Sequence, residues 1–295
     1  MATKSKLTIN VEYFALRFMC MVVNAIPYSK AMRIAEWLGA FLVNRVGLHR
    51  KRTEARIRSV FPEKSDAEVR RIAIGSLVNL LKNIIEMIRA PKLTREWMDK
   101  HVKDGLEYKK KLQSYVDEGR GVVIMVPHSG NWYMAAWSMA KYGLPLFAIA
   151  AKQRNPKITA WMNKMYLDIE VLERDERDTL VKIKRNLQSG RAFAILPDLR
   201  VMKKDVEVDF LNGKANVSRA GAMFAIKCSC PIVVAIMSRE GDKHVFNHLA
   251  TLRPEGKTAE ELMKETLSLL DSEIKKRPED WFWYNKRWIL EPVKE

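Results

Sequence analysis

The chain has 295 residues, enough for one large domain or two smaller ones, and its 47% hydrophobic content is ample for a full core. Its 52 Lys+Arg against 35 Asp+Glu leave a formal charge of +17, which asks for an anionic partner: a lipid surface, a phosphorylated substrate or an acidic carrier protein. Three cysteines, an odd number, argue against a disulfide framework, five scattered histidines offer no metal-ligand cluster, and basic residues spread along the chain without an RNA- or DNA-binding signature argue against nucleic acid.

The eight tryptophans and fifteen methionines of this basic chain lean toward a lipid surface. The first apolar segment, residues 11–27, is helix-like but interrupted by Glu12, Arg17 and Asn24 and ended by Pro27. It is too short and too polar to span a bilayer with ease, and it lacks a cleavage pattern, so it is expected to lie in or dip into a membrane. A second apolar helix is expected around Met32–Val46. Then comes the densely basic run Gly47–Arg58, which suits either anionic headgroups or a solvated helix face. Ser65 with Glu68 makes a capping box for a long amphipathic helix over 67–88. Residues 1–95 therefore form an all-helical, membrane-associated region.

From residue 96 the pattern alternates between strands and helices and predicts an α/β domain over 96–295, with a central, mostly parallel sheet flanked by helices. Helices are expected at 106–119, 156–166, 180–190, 220–227 and 259–276. Apolar runs at 121–126, 146–151, 192–197, 206–210, 232–237 and 245–252 predict strands, and His244 and His248 fall where the last of them is expected to be exposed. The central feature is Gly121-Val122-Val123-Ile124-Met125-Val126-Pro127-His128-Ser129-Gly130-Asn131-Trp132-Tyr133. A buried strand ends in a histidine, a tight turn follows, and a helix opens at Trp132. Such a strand holds an imidazole rigidly, and the helix start offers free N–H groups to a developing negative charge. Asp198 closes another strand, and the carboxyl ends of strands are where α/β proteins keep their sites.

Several strings resemble the bacterial lipid A late acyltransferases, within the wider glycerolipid acyltransferase-like superfamily. They are Phe61-Pro62-Glu63, Pro127-His128-Ser129-Gly130-Asn131-Trp132, Leu196-Pro197-Asp198-Leu199-Arg200, Val208-Asp209-Phe210-Leu211-Asn212-Gly213, and the Trp-rich run Pro278–Trp288, in that order along nearly the whole chain. The resemblance implies transfer of an acyl group from a thioester, on the phosphopantetheine of an acyl carrier protein or on coenzyme A, to a hydroxyl of lipid A or a related glycolipid. It implies work at the cytoplasmic face of the bacterial inner membrane, with no bound cofactor and no metal. His128 is then the general base, with Gly130 and Asn131 N–H groups or Arg200 facing the oxyanion. Asn131, Trp132, Arg154, Arg200 and Arg219 are candidates for substrate binding, the arginines for phosphates. Trp281, Trp283 and Trp288 are expected to pack, and Lys203 and Lys204 to be solvated.

The family motif is His-x4-Asp/Glu, and here Tyr133 stands at the carboxylate position. A phenol with an ordinary pKa near 10 hydrogen-bonds an imidazole but supplies no charge at neutral pH. Three readings follow. Another carboxylate, Asp198, takes over, so that Asp198 or Tyr133 assists His128; or the donor is a less demanding one, such as an aminoacyl thioester carrying glycine; or catalysis is lost and only lipid binding remains. A glycyl product would carry an amine that weakens cationic-peptide binding to lipid A. Acylation of a lysophospholipid is a further alternative.

Overall fold

The computed structural model describes residues 5–291. Four helices come first: α1 (Lys6–Ala25), α2 (Tyr28–Phe41), α3 (Arg50–Val60) and α4 (Asp66–Arg89). Pro27 separates α1 from α2, because its fixed φ and missing N–H end one helix and start the next. The Ser65–Glu68 capping box forms at the start of α4 as the sequence predicts. α5 (Arg95–His101), β1 (Val102–Lys103) and α6 (Gly105–Tyr115) follow.

The second half largely alternates between strands and helices, as the sequence predicts. β2 (Val122–Met125) leads to α7 (Trp132–Lys141), β3 (Leu146–Ala150) to α8 (Pro156–Met165), and β4 (Glu170–Glu173) to α9 (Thr179–Gln188). β5 (Ala192–Ile195), the hairpin β6 (Val206–Phe210)–β7 (Gly213–Val217), α10 (Ala220–Cys228), β8 (Ile232–Glu240), β9 (Lys243–Leu252) and α11 (Ala259–Lys276) complete it. The main sheet has the order β1-β9-β8-β2-β5-β3-β4. It is parallel at every interface except that between β8 and β9. β2 therefore lies at the centre, buried at all four positions.

Helices cover both faces. Val123 and Met125 of β2 point into one core, shared with α9, α10 and α11. Val122 and Ile124 point into the other, shared with α6 and α7. The N-terminal helices join both cores: Ile57, Val69 and Ile72 pack in the first, Met87 and Ile88 in the second. Residue 95 thus marks a change in element type, while the packing runs on across it.

Several strands differ from expectation for physical reasons. β1 is two residues long and β4 reads Glu-Val-Leu-Glu, so neither carries an apolar run. β7 follows a two-residue loop in which Leu211 and Asn212 both have positive φ; Asn212 suits that conformation but Leu211 does not, so the loop carries no ordinary hairpin signal. His244, expected on an exposed strand, is fully buried, because α4 covers that part of β9 with an acidic side chain.

The membrane-facing expectation rests on α1. No helix among the described residues is long and apolar enough to cross a bilayer. Yet Leu7, Val11, Phe14, Phe18 and Met21 recur at helical spacing along α1 and are all exposed, as are Trp37 and Phe41 of α2. The basic run on α3 is partly committed. Arg56 donates to the Trp283 and Asn285 carbonyls at 3.1 and 2.5 Å, and Arg58 pairs with Asp66 at 2.6 Å.

Candidate active site

Strand register brings the candidate base and its partner together. β2 and β5 are parallel neighbours with Met125 opposite Ile195. His128 and Asp198 each follow three residues after those partners, so both emerge side by side at the carboxyl edge of the sheet. His128 Nδ1 lies 2.8 Å from Asp198 Oδ1, and the His128 backbone N–H donates to Asp198 Oδ2 at 2.7 Å. The indole N–H of Trp281 donates to Oδ2 at 2.8 Å. Asp198 is buried, and burial alone would raise its pKa. The charge of His128 and the donors from His128 and Trp281 outweigh burial and hold the carboxyl below its usual range. With Nδ1 facing this carboxylate, Nε2 is the nitrogen left to take a proton from a substrate. Trp281, expected only to pack, does pack against Trp283 and also orients the dyad from the C-terminal segment.

The turn after His128 is gripped by α4. Gly130 has φ 59, and a Cβ there would sit 1.7 Å from the Met237 carbonyl oxygen, so only glycine fits. Its N–H donates to the Asp280 carbonyl at 3.0 Å, and the Asn131 N–H donates to the Met237 carbonyl at 3.1 Å. Neither is free for an oxyanion, which overturns the assignment of both groups made from the sequence. The open donors at the start of α7 are instead the Trp132 and Tyr133 N–H groups, which have no intrahelical acceptor. Asn79 and Asn83 both donate to the Gly130 carbonyl, at 2.9 and 2.7 Å. One turn further along α4, Glu86 accepts from the Asn131 side-chain amide.

Glu86 is fully buried and would be unstable as a lone charge. Arg239 donates to both its oxygens at 2.9 and 2.7 Å, the Tyr28 hydroxyl donates at 2.6 Å, and His244 Nε2 lies at 3.1 Å. Burial pushes the carboxyl up, but Arg239 and His244 outweigh it and hold it well below the ordinary value. Asn131, expected to touch substrate, is thereby a structural residue. Its amide N–H₂ serves Glu86, its oxygen caps α7 through the Met134 N–H at 2.9 Å, and no part of it is exposed.

An apolar cavity of about 740 Å³ opens at the dyad. His128, Trp132, Tyr133 and Arg200 line it, so four of the residues singled out from the sequence share one chamber. Trp132 stands edge-on to the His128 ring at 5.1 Å. Tyr133 does not hydrogen-bond His128. Its ring stacks on Trp137 at 5.6 Å, and burial pushes its phenol up, so it neither orients nor charges the imidazole. Arg200 is buried and reaches Glu291 at 3.4 Å. Arg154 is exposed and outside the lining, and Arg219 is held in an ion pair with Asp205. Arg174 and Arg287, not singled out beforehand, stand at the cavity rim.

The chain belongs to the bacterial lipid A biosynthesis acyltransferase family, whose model matches residues 1–289. It is also similar to the phosphatidylinositol mannoside acyltransferase of Mycolicibacterium smegmatis, with 25% identity over 192 residues, 61% of this chain and 60% of that protein. The corresponding protein of Mycobacterium tuberculosis is 22% identical over 189 residues, 61% of this chain and 58% of that protein. In both cases the match spans less than two thirds of the relative's length.

Gly130→Ala is expected to destabilise the fold by at least about 3 kcal/mol, read by urea unfolding, since strain and a backbone clash act together. Glu86→Ala leaves Arg239 buried without its partner and is expected to cost about 3–5 kcal/mol at neutral pH. Because Glu86 is depressed in the folded state, its stabilisation is present above its unfolded pKa, near about 4.3, and is lost as pH falls through its lower folded value. The gap between wild type and Glu86→Gln should therefore hold from neutrality to mild acid and narrow progressively as the pH falls below about 4.3. A gap that closes between neutrality and mild acid would contradict a charged Glu86.

Proposed function

We propose that the protein transfers an acyl group from a thioester to a hydroxyl of a membrane glycolipid, lipid A or a related anionic one, with His128 as general base. The observation that carries this reading is the His128–Asp198 pair at the mouth of an apolar cavity. In the proposed step the acceptor hydroxyl gives its proton to His128 Nε2 as its oxygen attacks the thioester carbonyl. Asp198 stays ionised, fixes the imidazole's tautomer and stabilises the imidazolium. The Trp132 and Tyr133 N–H groups at the helix start, with the buried Arg200, are suited to face the oxyanion. The tetrahedral intermediate collapses with loss of thiolate, which recovers the proton from His128.

Asp198 in this scheme does the work that the family motif gives to the carboxylate at the position of Tyr133. That replacement answers the main objection to catalysis, since a buried, hydrogen-bonded carboxylate is in place. The apolar lining favours a fatty acyl group. A glycyl group would leave most of the chamber unfilled. The formal charge of +17 suits an acidic carrier protein as donor and anionic lipid as acceptor. The exposed apolar face of α1, with Lys51 and Arg52 exposed on α3, suits attachment to the inner membrane from its cytoplasmic side.

His128→Ala is expected to abolish modification, and Asp198→Asn to lower kcat by about 10²–10⁴ with the fold kept. The measurement is mass spectrometry of lipid A and other glycolipids from cells carrying wild type or variant. The added mass separates a fatty acyl from a glycyl group. Full activity in Asp198→Asn would remove the dyad from the mechanism, and unchanged lipids on loss of the gene would remove the reaction. For the membrane, Phe14→Ser with Phe18→Ser is expected to weaken co-sedimentation with anionic vesicles by tenfold or more, since each buried Phe contributes roughly 1.5–3 kcal/mol. Unaltered sedimentation would sink the α1 assignment.

A further inference from the structure

Beyond residue 48, exposed large apolar side chains are few among the described residues, and they are not scattered. Leu106 stands apart, while Leu180 and Val181 of α9, Met202 after β5, and Met223 and Ile226 of α10 gather in one region. α9 and α10 lie side by side, with Ile183 and Leu187 in the same core as Ala222 and Ala225. Burial pushes the Cys228 thiol of α10 up, and the Lys184 charge of α9 is near enough to offset part of that push. On α9, Leu180 and Lys184 are one turn apart. On α10, Met223, Ile226 and Lys227 are spaced i, i+3 and i+4, so each helix presents one exposed stripe. Leu180 and Met202 also line the cavity, so the patch runs up to its mouth. A contiguous apolar patch of this kind marks a contact surface.

The patch is ringed by uncompensated positive charge. Lys184, Lys203, Lys204 and Lys227 are exposed and have no ion pair among the described residues. The nearby acids are already engaged: Asp175 by Arg174, Glu176 and Asp178 by Lys182, and Asp205 by Arg219. An apolar centre with a cationic rim fits a partner whose own contact surface is apolar at the middle and acidic around it. A bilayer is poorly placed to be that partner. α1 packs through Tyr13, Leu16 and Val23 against the core under α6 and α7, whereas α9 and α10 cover the opposite face of the sheet. One flat membrane lying along the exposed face of α1 therefore leaves the α9–α10 surface to solution.

We propose that the exposed face of α9 and α10 docks an acidic carrier protein bearing the donor thioester. The carrier sits on Val181, Met223 and Ile226, pairs its acids with Lys184, Lys227 and the Lys203–Lys204 loop, and passes its flexible arm by Leu180 and Met202 into the cavity. This rests on the acyl-transfer reading and specifies where its donor binds. The surface separates two ways of presenting a thioester. Coenzyme A has no protein body to lay on α10, so a donor of that kind meets only the cavity and its rim. Carrier and membrane then meet opposite layers of the fold, and neither blocks the other.

The test compares the full chain with two variants, Lys184→Glu with Lys227→Glu and Met223→Ser with Ile226→Ser, using thermal melting to confirm folding. Binding is read by fluorescence anisotropy with a dye-labelled, purified bacterial acyl carrier protein carrying a palmitoyl thioester. Transfer to a membrane lipid extract is read with that carrier and with palmitoyl-coenzyme A as alternative donors. Each variant is expected to raise the Kd for the carrier, and the KM for the carrier-borne donor, by about tenfold or more. The KM for palmitoyl-coenzyme A and co-sedimentation with anionic vesicles are expected to stay unchanged. No carrier binding by wild type, an unaltered Kd in both variants, or an equal rise in KM for the two donors overturns the docking surface and leaves the acyl-transfer reading intact. Weaker vesicle binding with unaltered carrier binding gives the face to the membrane and overturns it as well. Carrier binding that both variants weaken, with no transfer from either donor, bears out the docking surface and overturns the acyl-transfer reading.

Discussion

A carboxylate that water cannot reach must collect its hydrogen bonds from protein, and Asp198 collects three. Two come from His128 itself, ring and backbone, and one from Trp281. The arrangement fixes more than a proton's position. It ties the ends of β2 and β5 to each other and both to the C-terminal segment, which also donates the Phe282 N–H to the His128 carbonyl at 2.9 Å. Each donor offsets part of the desolvation cost that the carboxylate would otherwise impose on the fold. The site and the closing segment of the chain are thus stabilised by one buried charge.

A second buried carboxylate does the same for the turn. Asn79, Asn83 and Glu86 lie at i, i+4 and i+7 along α4, so they form one polar stripe on a helix whose neighbouring face is apolar. That stripe faces inward, against the Gly130–Asn131 turn. Polar groups placed there hold a backbone that apolar packing would leave with unpaired carbonyls. Tyr28, at the first position of α2, reaches the same carboxylate, so the N-terminal helices and the turn beside His128 share a single anchoring group.

The strand-turn-helix around His128 and the strand-end position of Asp198 are legible in the sequence, because a buried parallel strand is a short apolar run with a sharp end. The Ser65–Glu68 capping box and the long helices are legible too, through cap chemistry and helical apolar spacing. The α4 stripe is not. Polar residues at helical spacing look the same whether they face water or a buried turn, and only the three-dimensional arrangement places Arg239 and His244 opposite Glu86. The edge strands β1 and β4 lack an apolar run because their outer positions meet solvent. Tyr133 shows the limit of motif reasoning. Its position in the motif says which residue should pair with His128, but a neighbouring strand already supplies Asp198, and an aromatic side chain instead packs on Trp137.

The proposed reading also explains why the apolar helix α1 sits where it does. Asn155, at the start of α8, donates to the Ile9 carbonyl at 2.9 Å and to Glu12 at 3.0 Å, so α1 is tied to the helix that follows β3. Met162 and Tyr166, on and just beyond α8, line the apolar cavity. A single helix therefore links the exposed apolar face of α1 to the wall of the cavity. A lipid chain leaving a bilayer loses about 0.8 kcal/mol for each methylene it exposes to water. That penalty over a whole acyl chain would be a severe barrier to loading. In the proposed reading, a chamber whose wall is braced against α1 would shorten the exposed path, and the same bracing would fix the distance between the lipid surface and His128.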